Sequence, residues 1–417
     1  MNSSAQTADT ATIENGTHAD ISTSQFDASQ IDVTTIEDLE QVGSDKWTRY
    51  PGCIGAFIAE MDYGLAPCVA EAIEEATERG ALGYIPDPWK KEVARSCAAW
   101  QRRYGWDVDP TCIRPVPDVL EAFEVFLREI VRSGNSIVVP TPAYMPFLSV
   151  PRLYGVEVLE IPMLCEGNGH DGEWLFDFDA IEQAFANGCR AFVLCNPHNP
   201  IGKVLTREEM LRLSDLAAKY GVRIFSDEIH APFVYQGHTH VPFASINKQT
   251  ALQAFTSTSA SKSFNIPGTK CAQVILTNPD DLELWMRNAE WSEHQTATIG
   301  AIATTAAYDG GAAWFEGVLE YIERNIALVN EQMRTRFAKV RYVEPQGTYI
   351  AWLDFSPLGI DDPADYFFKK ANVALTDGRE CGEVGRGCVR MNFAMPYPLL
   401  EECFDRMAAA LEADGLL

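Results

Sequence analysis

The chain has 417 residues, of which 33 are Lys or Arg and 59 are Asp or Glu, for a formal net charge of −26. This acidity repels nucleic-acid phosphates and anionic lipid surfaces, and no run of Lys and Arg offsets it, so nucleic-acid and membrane binding are excluded as leading functions. With 47% hydrophobic residues, a chain of this length is expected to form about two or three domains with large cores.

The cysteines argue against a disulfide framework and against a metal site. The chain has eleven of them, with no Cys-x-x-Cys pair and no Cys/His cluster at zinc spacing. The N-terminus lacks the basic and hydrophobic regions of a signal peptide, and no apolar run reaches ~18 residues. We therefore expect a cytoplasmic protein with reduced thiols.

The N-terminal segment is acidic and polar. Residues 1–45 contain nine acidic residues and no Lys or Arg. Such a segment buries too little apolar surface to offset its ordering entropy, so we expect about the first 25 residues to be disordered and assign residues 1–35 to a disordered acidic tail, with order beginning near Ile36 or Trp47. A targeting or partner-binding segment is the alternative, although transit peptides are rich in Arg and poor in acidic residues.

Helices and short apolar strands then alternate along the chain. Apolar runs of this length, separated by helices, indicate a parallel sheet covered on both faces, with ligands at the carboxyl ends of the strands. Shorter elements after the long helix at 314–337 indicate a second, smaller α/β domain, so we assign 65–310 to a large domain and 36–64 with 311–417 to a small one. The predicted helices are 68–80, 121–132, 207–220, 314–337 and 399–413, and the predicted strands are 136–140, 156–161, 191–195, 223–226, 251–256, 273–277, 349–354 and 388–392.

Polar residues cluster directly after three of the predicted strands. The strand at 191–195 is followed by NPHNPIG, the strand at 223–226 by DEIH, and the strand at 251–256 leads into SASKSFN. Alone, each has an ordinary structural explanation as a turn, a helix cap or a surface lysine. Together they place an amide, a carboxylate and an amine at one edge of the sheet.

With VRMNF near the C-terminus, these motifs resemble the fold-type-I pyridoxal-phosphate enzymes of the class I/II aminotransferase superfamily, and within it the MalY/PatB-like cystathionine β-lyases. The resemblance runs from about Ile54 to the C-terminus and includes AEMDYGLAP, PTPAYMPF and PQGTYIAWLD. It implies a mostly parallel seven-stranded sheet between helices, a smaller α/β domain, and pyridoxal 5'-phosphate as cofactor.

The resemblance also implies roles for individual residues. Lys262 would hold the cofactor covalently and, once the amino acid displaces it, remove the α-proton. Asp227 would face the pyridine nitrogen, Asn199 would donate to the 3'-oxygen, and Tyr144 would stack on the ring. Arg390 would hold the substrate α-carboxylate.

The phosphate would be bound by a helix start, a hydroxyl and a cation. The resemblance implies the backbone amides of Val119 and Leu120, the hydroxyl of Ser259, and Lys270 where many relatives have Arg. The family usually has a glycine turn where Asp118 stands here, and we expect the Asp118 side chain to point to solvent near the helix N-terminus.

Tyr84 resembles the tyrosine that reaches the phosphate of the neighbouring subunit, which implies a homodimer with active sites at its interface. It joins Lys262 and Arg390 as an expected catalytic residue. The alternative is that Tyr84 only packs beside Gly83.

The expected reaction is α,β-elimination from L-cystathionine or related cysteine S-conjugates, giving a thiol such as homocysteine, pyruvate and ammonia, within sulfur amino acid metabolism and methionine biosynthesis. His230 favours it, because the lyase subfamily shares DEIH while ordinary aminotransferases carry Tyr at that position; an imidazole could also simply fill the tyrosine site. An aminotransferase is the alternative, followed by a non-catalytic regulatory protein of the same fold. Phe57 stands where the family usually has tryptophan, which leaves substrate preference open.

Overall fold

The computed structural model describes residues 26–167 and 172–417, with fifteen strands and sixteen α-helices in that part of the chain. The strands are β1 Ile54–Gly55, β2 Ile113–Val116, β3 Ser136–Thr141, β4 Glu157–Pro162, β5 Leu164–Glu166, β6 Glu173–Leu175, β7 Ala191–Cys195, β8 Arg223–Asp227, β9 Ala254–Thr258, β10 Ala272–Ile275, β11 Arg341–Tyr342, β12 Ile350–Asp354, β13 Val373–Ala374, β14 Thr376–Asp377 and β15 Cys388–Asn392. The helices are α1 Ala28–Asp32, α2 Ile36–Val42, α3 Asp45–Thr48, α4 Pro67–Glu78, α5 Asp87–Gln101, α6 Val119–Val125, α7 Pro146–Leu153, α8 Phe178–Ala186, α9 Arg207–Tyr220, α10 Lys248–Gln253, α11 Pro279–Asn288, α12 Glu290–His294, α13 Thr298–Gly310, α14 Ala312–Thr335, α15 Pro363–Ala371 and α16 Tyr397–Ala413.

The larger sheet has seven strands in the order β2-β10-β9-β8-β7-β3-β4. Strands β9, β8, β7, β3 and β4 run parallel, and β10 is antiparallel to both of its neighbours. Every residue of β7 and of β9 is buried, which explains why these strands are continuous apolar runs rather than alternating ones. The predicted mostly parallel seven-stranded sheet is confirmed, and its strands β7, β8 and β9 end at one edge.

A smaller antiparallel sheet has the order β11-β12-β15-β14. The two-residue strand β1 pairs in parallel with β13, with Ile54 opposite Val373. This pairing brings the segment after α3 beside the last third of the chain. The division into domains 65–310 and 36–64 with 311–417 stays a prediction.

Two predicted elements are wrong in part. Residues 251–253, predicted as the start of a strand, belong to helix α10, because Asn247 and Thr250 form a reciprocal capping box that begins a helix there. The predicted helix 121–132 is α-helical only as far as Val125, and residues 126–131 form a π-helical turn.

The predicted tail boundary at residue 35 is also wrong. Residues 1–25 lie outside the described part of the chain, but from Phe26 onward the chain is packed: its ring makes edge contacts with Tyr63, Trp314 and Tyr321 at centroid distances of 5.7 to 6.0 Å. The Tyr321 hydroxyl donates to Asp32 at 2.5 Å. Phe26, together with Ala28 and Ile31, therefore anchors this largely polar segment on the core.

In the described residues, no helix is both long enough and apolar enough to cross a membrane.

Candidate functional site

A cavity of about 480 Å³ lies at the carboxyl ends of β7, β8 and β9. Its wall also includes residues that precede and follow β1 and residues of β14 and β15. All of the predicted cofactor residues line it, together with Arg390; these are Val119, Leu120, Tyr144, Asn199, Asp227, His230, Ser259, Lys262 and Lys270. We call the part formed by Asn199, Asp227, Ser259 and Lys262, which lie at or just beyond the strand ends, the floor.

Asp227 is the last residue of β8 and is only 4% exposed. Its Oδ1 accepts a hydrogen bond from the backbone N–H of Ile229 at 3.1 Å. Burial raises the pKa of the carboxyl to about 7, and the Lys262 charge opposes this shift only weakly. A buried carboxyl of this kind favours a cationic partner in the cavity.

Lys262 lies four residues beyond the end of β9, in the SASKSFN turn. Its Nζ donates to the backbone carbonyl of Ala59 at 2.7 Å, and the Tyr349 hydroxyl donates to the same carbonyl at 3.0 Å. Burial, together with the nearby charge of Arg390, lowers the pKa of the amine to about 8. At pH 7 about a tenth of this amine is therefore uncharged and nucleophilic, far more than for an ordinary lysine.

Arg390, in the centre of β15, is 4% exposed and points into the cavity from the smaller sheet. Its Nη2 donates to the Phe57 carbonyl at 2.8 Å and to the Thr376 hydroxyl at 3.3 Å, and its Nη1 donates to Asn199 Oδ1 at 3.4 Å. These contacts hold the guanidinium beside the floor in one orientation, as the binding of a carboxylate requires.

His230 is fully enclosed beside the floor. Its ring packs edge-on against Tyr349, with centroids 5.7 Å apart, and its Nδ1 has no hydrogen-bond partner among the described residues. Burial, followed by the charges of Lys262 and Arg390, lowers the pKa of the imidazole to about 3. The ring is therefore neutral at physiological pH, with a polar atom that still lacks a partner.

Hydroxyl groups and one cation gather near the start of α6. Ser259 Oγ donates to the Cys271 carbonyl at 2.9 Å and lies 2.7 Å from Ser261 Oγ. Asp118 lines the cavity with its side chain 40% exposed to solvent, and its Oδ1 caps α6 by accepting from the N–H of Glu121 at 2.9 Å. Its Oδ2 lies 3.0 Å from Lys270 Nζ, so the extra carboxylate is paired with the nearby cation.

Tyr84 is the one predicted site residue that does not line the cavity. Its side chain is 83% exposed and stacks on His294 at 4.9 Å, while Trp291, 72% exposed, stacks on the same imidazole at 4.7 Å. Its reach into a neighbouring subunit stays a prediction.

Several lining residues were not found from the sequence. Ser261 could have been, because it stands beside Lys262 in the motif. Met145 could have been found for the same reason, since it follows Tyr144. Polar or aromatic lining residues with no local signal include Arg49, Tyr50, Thr376 and Glu380. We call the outer part, formed by Arg49, Tyr50, Phe57 and Glu380, the mouth.

The site contains no arrangement typical of a metal centre. Across residues 26–167 and 172–417, no group of three or more His, Cys, Asp and Glu residues is placed to hold a metal ion. The polar groups of the cavity are instead a mixture of amine, guanidinium, carboxyl, amide and hydroxyl.

Comparison with known proteins gives a consistent result. The family profile "Aminotransferase class I and II" matches residues 55–407. The chain is 34% identical to a cystathionine beta-lyase of Corynebacterium glutamicum, over 90% of this chain and 99% of the relative. It is 33% identical to the cystathionine beta-lyase PatB of Bacillus subtilis, over 89% and 98%.

Among solved structures, a putative PLP-dependent beta-cystathionase from Corynebacterium diphtheriae superposes with a TM-score of 0.85 at 35% identity. The superposition covers 91% of this chain and 98% of the other.

Proposed function

The chain belongs to the aminotransferase class I and II family, and from this premise we propose that it is a pyridoxal-phosphate-dependent carbon–sulfur β-lyase. Its substrates are L-cystathionine or related cysteine S-conjugates, which it converts to a thiol, pyruvate and ammonia. The observation that carries the proposal is the convergence of Lys262, Asp227 and Arg390 on one cavity, in a chain similar along most of its length to cystathionine β-lyases.

The donor set of the cavity fits pyridoxal 5'-phosphate. A buried carboxyl that favours a cationic partner suits the ring nitrogen, and an imidazole nitrogen without a partner, beside an amide, suits the 3'-oxygen. Bound there, the cofactor supplies an electron sink for the electron pair that remains when the substrate loses its α-proton. The residues that would hold it are Asp227, Asn199, His230, Tyr144, Lys262 and, at the phosphate, Val119, Leu120, Ser259, Ser261 and Lys270.

The Lys262 amine is the group suited to move the α-proton. Its pKa of about 8 makes it a good base near neutral pH, since catalytic bases work best when their pKa lies near the operating pH. The Ala59 carbonyl, which accepts from Nζ at 2.7 Å, keeps the amine in the cavity when it is not engaged. A positioned amine can take the proton from Cα without a second base.

Arg390 would bind the substrate α-carboxylate and so decide which bond to Cα is broken. Its guanidinium is held by Phe57, Thr376 and Asn199, so it is already oriented when the substrate arrives. His230 stays neutral beside it, so the imidazole adds no positive charge that would compete for the carboxylate.

We also propose a homodimer, a cytoplasmic location and a role in methionine biosynthesis through the homocysteine released. Exposed Leu82, Tyr84 and Trp291 form an apolar surface that supports the dimer. All eleven cysteines lie in the described residues and are free thiols, which supports a reducing compartment.

The test is to incubate the purified protein, loaded with cofactor, with L-cystathionine and to follow pyruvate and free thiol. Equal release of both would support the lyase. Amino transfer to 2-oxoglutarate without pyruvate would establish the aminotransferase instead. Failure to bind the cofactor at all would favour the regulatory protein.

A further inference from the structure

The mouth of the cavity carries a cation that the proposed chemistry does not use. Four cationic side chains line the cavity: Arg49, Lys262, Lys270 and Arg390. Lys262 and Arg390 are assigned to the α-proton and the α-carboxylate, and Lys270 is paired with Asp118 near the start of α6. Arg49 therefore remains for a second anionic group on the substrate.

Arg49 is held in place by contacts that leave its charge accessible. Its guanidinium lies over the Phe57 ring, with Cζ 5.2 Å from the centroid, and Tyr50 packs on the same ring at 5.4 Å. The side chain is 49% exposed, and its ion-pair partner Asp45 is 53% exposed on the same helical turn. A pair this exposed is screened by solvent and is weak, so a substrate carboxylate can compete for the guanidinium.

Phe57 links this cation to the other arginine. Its backbone carbonyl accepts from Arg390 Nη2 at 2.8 Å, while its ring lies against Arg49. Two guanidinium groups thus lie on either side of one residue, one at the buried end of the substrate path and one at the open end. The carboxylate Glu380 also lines the cavity, and its side chain is exposed.

From this arrangement we infer that the mouth is a subsite for the far end of the substrate. Arg49 binds a carboxylate and Glu380 an ammonium group on the sulfur substituent, so the enzyme selects cysteine S-conjugates whose substituent itself ends in an amino acid or a carboxylate. The inference rests on the proposed lyase function, and it ranks acidic conjugates above neutral alkyl cysteines of similar length.

The experiment compares S-(2-carboxyethyl)-L-cysteine with S-propyl-L-cysteine, which lacks the carboxylate at similar length, using the cofactor-loaded protein. For each, kcat/KM for pyruvate release and Kd from the change in cofactor absorbance are measured. Arg49→Gln should lower the ratio of kcat/KM for the acidic substrate to kcat/KM for the neutral one about fivefold, through KM rather than kcat. The ratio of the two affinities should fall by a similar factor. Arg49→Lys should restore part of the ratio, and Asp45→Asn should raise it about twofold.

Arg386→Gln is the matched control. Arg386 is also an exposed arginine paired with an aspartate, Asp361, but neither residue lines the cavity. This variant should leave the ratio at the wild-type value. Equal losses for both substrates in Arg49→Gln, or an unchanged ratio, would overturn the inference. Absence of pyruvate from every substrate with wild-type protein would refute the lyase, while the affinity ratio would still decide the role of Arg49.

Discussion

The floor and the mouth of the cavity are built in different ways. Floor side chains lie at or just beyond the ends of β7, β8 and β9, so the sheet fixes their positions, and burial strongly shifts the pKa values of Asp227 and Lys262. Mouth side chains come from a segment near the N-terminus and from Glu380 close to the C-terminus, and they are largely exposed. The floor is therefore suited to chemistry that relatives share, and the mouth to choosing among substrates.

The largest effect is expected at the floor. Lys262→Ala should reduce pyruvate release by about 10³-fold or more, because the amine is both the covalent attachment point and the base. Its absorbance should also lose the band of covalently attached cofactor. Lys270→Ala, which removes the more exposed cavity lysine, should weaken cofactor binding and leave the covalent band; activity retained in Lys262→Ala would contradict the assignment.

The segment that carries the mouth depends on a buried ion pair. Lys46 Nζ lies 2.7 Å from Asp62 Oδ2, with side-chain exposures of 0% and 4%, and Trp47 Nε1 donates to the other oxygen at 2.8 Å. Lys46→Met leaves Asp62 buried without its cation, so the free energy of unfolding should fall by about 3 to 5 kcal/mol in urea denaturation.

The double variant Lys46→Met/Asp62→Leu should recover most of that stability, because an apolar pair replaces the charged one. A single variant as stable as the wild type would show that the pair does not hold the segment.

Arg390 joins the two regions through the Phe57 carbonyl. Arg390→Ala should raise KM for L-cystathionine by about 10- to 100-fold, as expected for the loss of a buried charge-assisted hydrogen bond of about 1.5 to 3 kcal/mol. The cofactor absorbance should change little. Steady-state kinetics with unaltered KM would remove the α-carboxylate assignment.

His230 should make the cofactor-free protein sensitive to acid. The pKa of its imidazole is about 3 in the folded protein, compared with the ordinary value of 6.5. Its contribution to the free energy of unfolding is therefore complete above pH 6.5 and is lost as the pH falls toward 3. The pKa of Asp227 is raised to about 7, so its effect on stability is opposite over much of that range. The stability that its protonated carboxyl contributes is lost as the pH rises.

His230→Gln therefore isolates the imidazole. Between pH 7 and pH 5 the variant should lose about 1 to 2 kcal/mol less stability than the wild type, measured by urea denaturation at each pH. Equal losses in the two proteins would contradict a buried neutral imidazole.

The smallest effect is expected at Asp118. Asp118→Asn frees Lys270 from a half-exposed pair, worth about 0.2 to 1 kcal/mol, and keeps a side chain that can cap α6. Cofactor affinity should increase no more than about fivefold in a binding titration. Weaker binding would indicate that the carboxylate itself supports the phosphate site.

The same contrast explains what the sequence could predict. Floor residues stand in contiguous motifs at the ends of apolar runs, so the sequence predicts that Asn199, Asp227 and Lys262 lie at one edge of the sheet, and all three line the cavity. Their roles toward the cofactor stay predictions. Local patterns failed where distant contacts decide the structure. Phe26 orders a polar segment by packing on Trp314, far along the chain. The segment that carries Arg49 is held by the Lys46–Asp62 pair and by the pairing of β1 with β13, neither of which has a local signal in the sequence.

Phe57 divides its two tasks between backbone and side chain. The backbone carbonyl that orients Arg390 is present whatever residue occupies position 57. The ring beneath Arg49, by contrast, is altered by any substitution of Phe57. Natural variation at position 57 can therefore alter substrate range while Arg390 stays oriented to bind the α-carboxylate of the substrate. The same position offers an engineer a way to retune selectivity without rebuilding the catalytic centre.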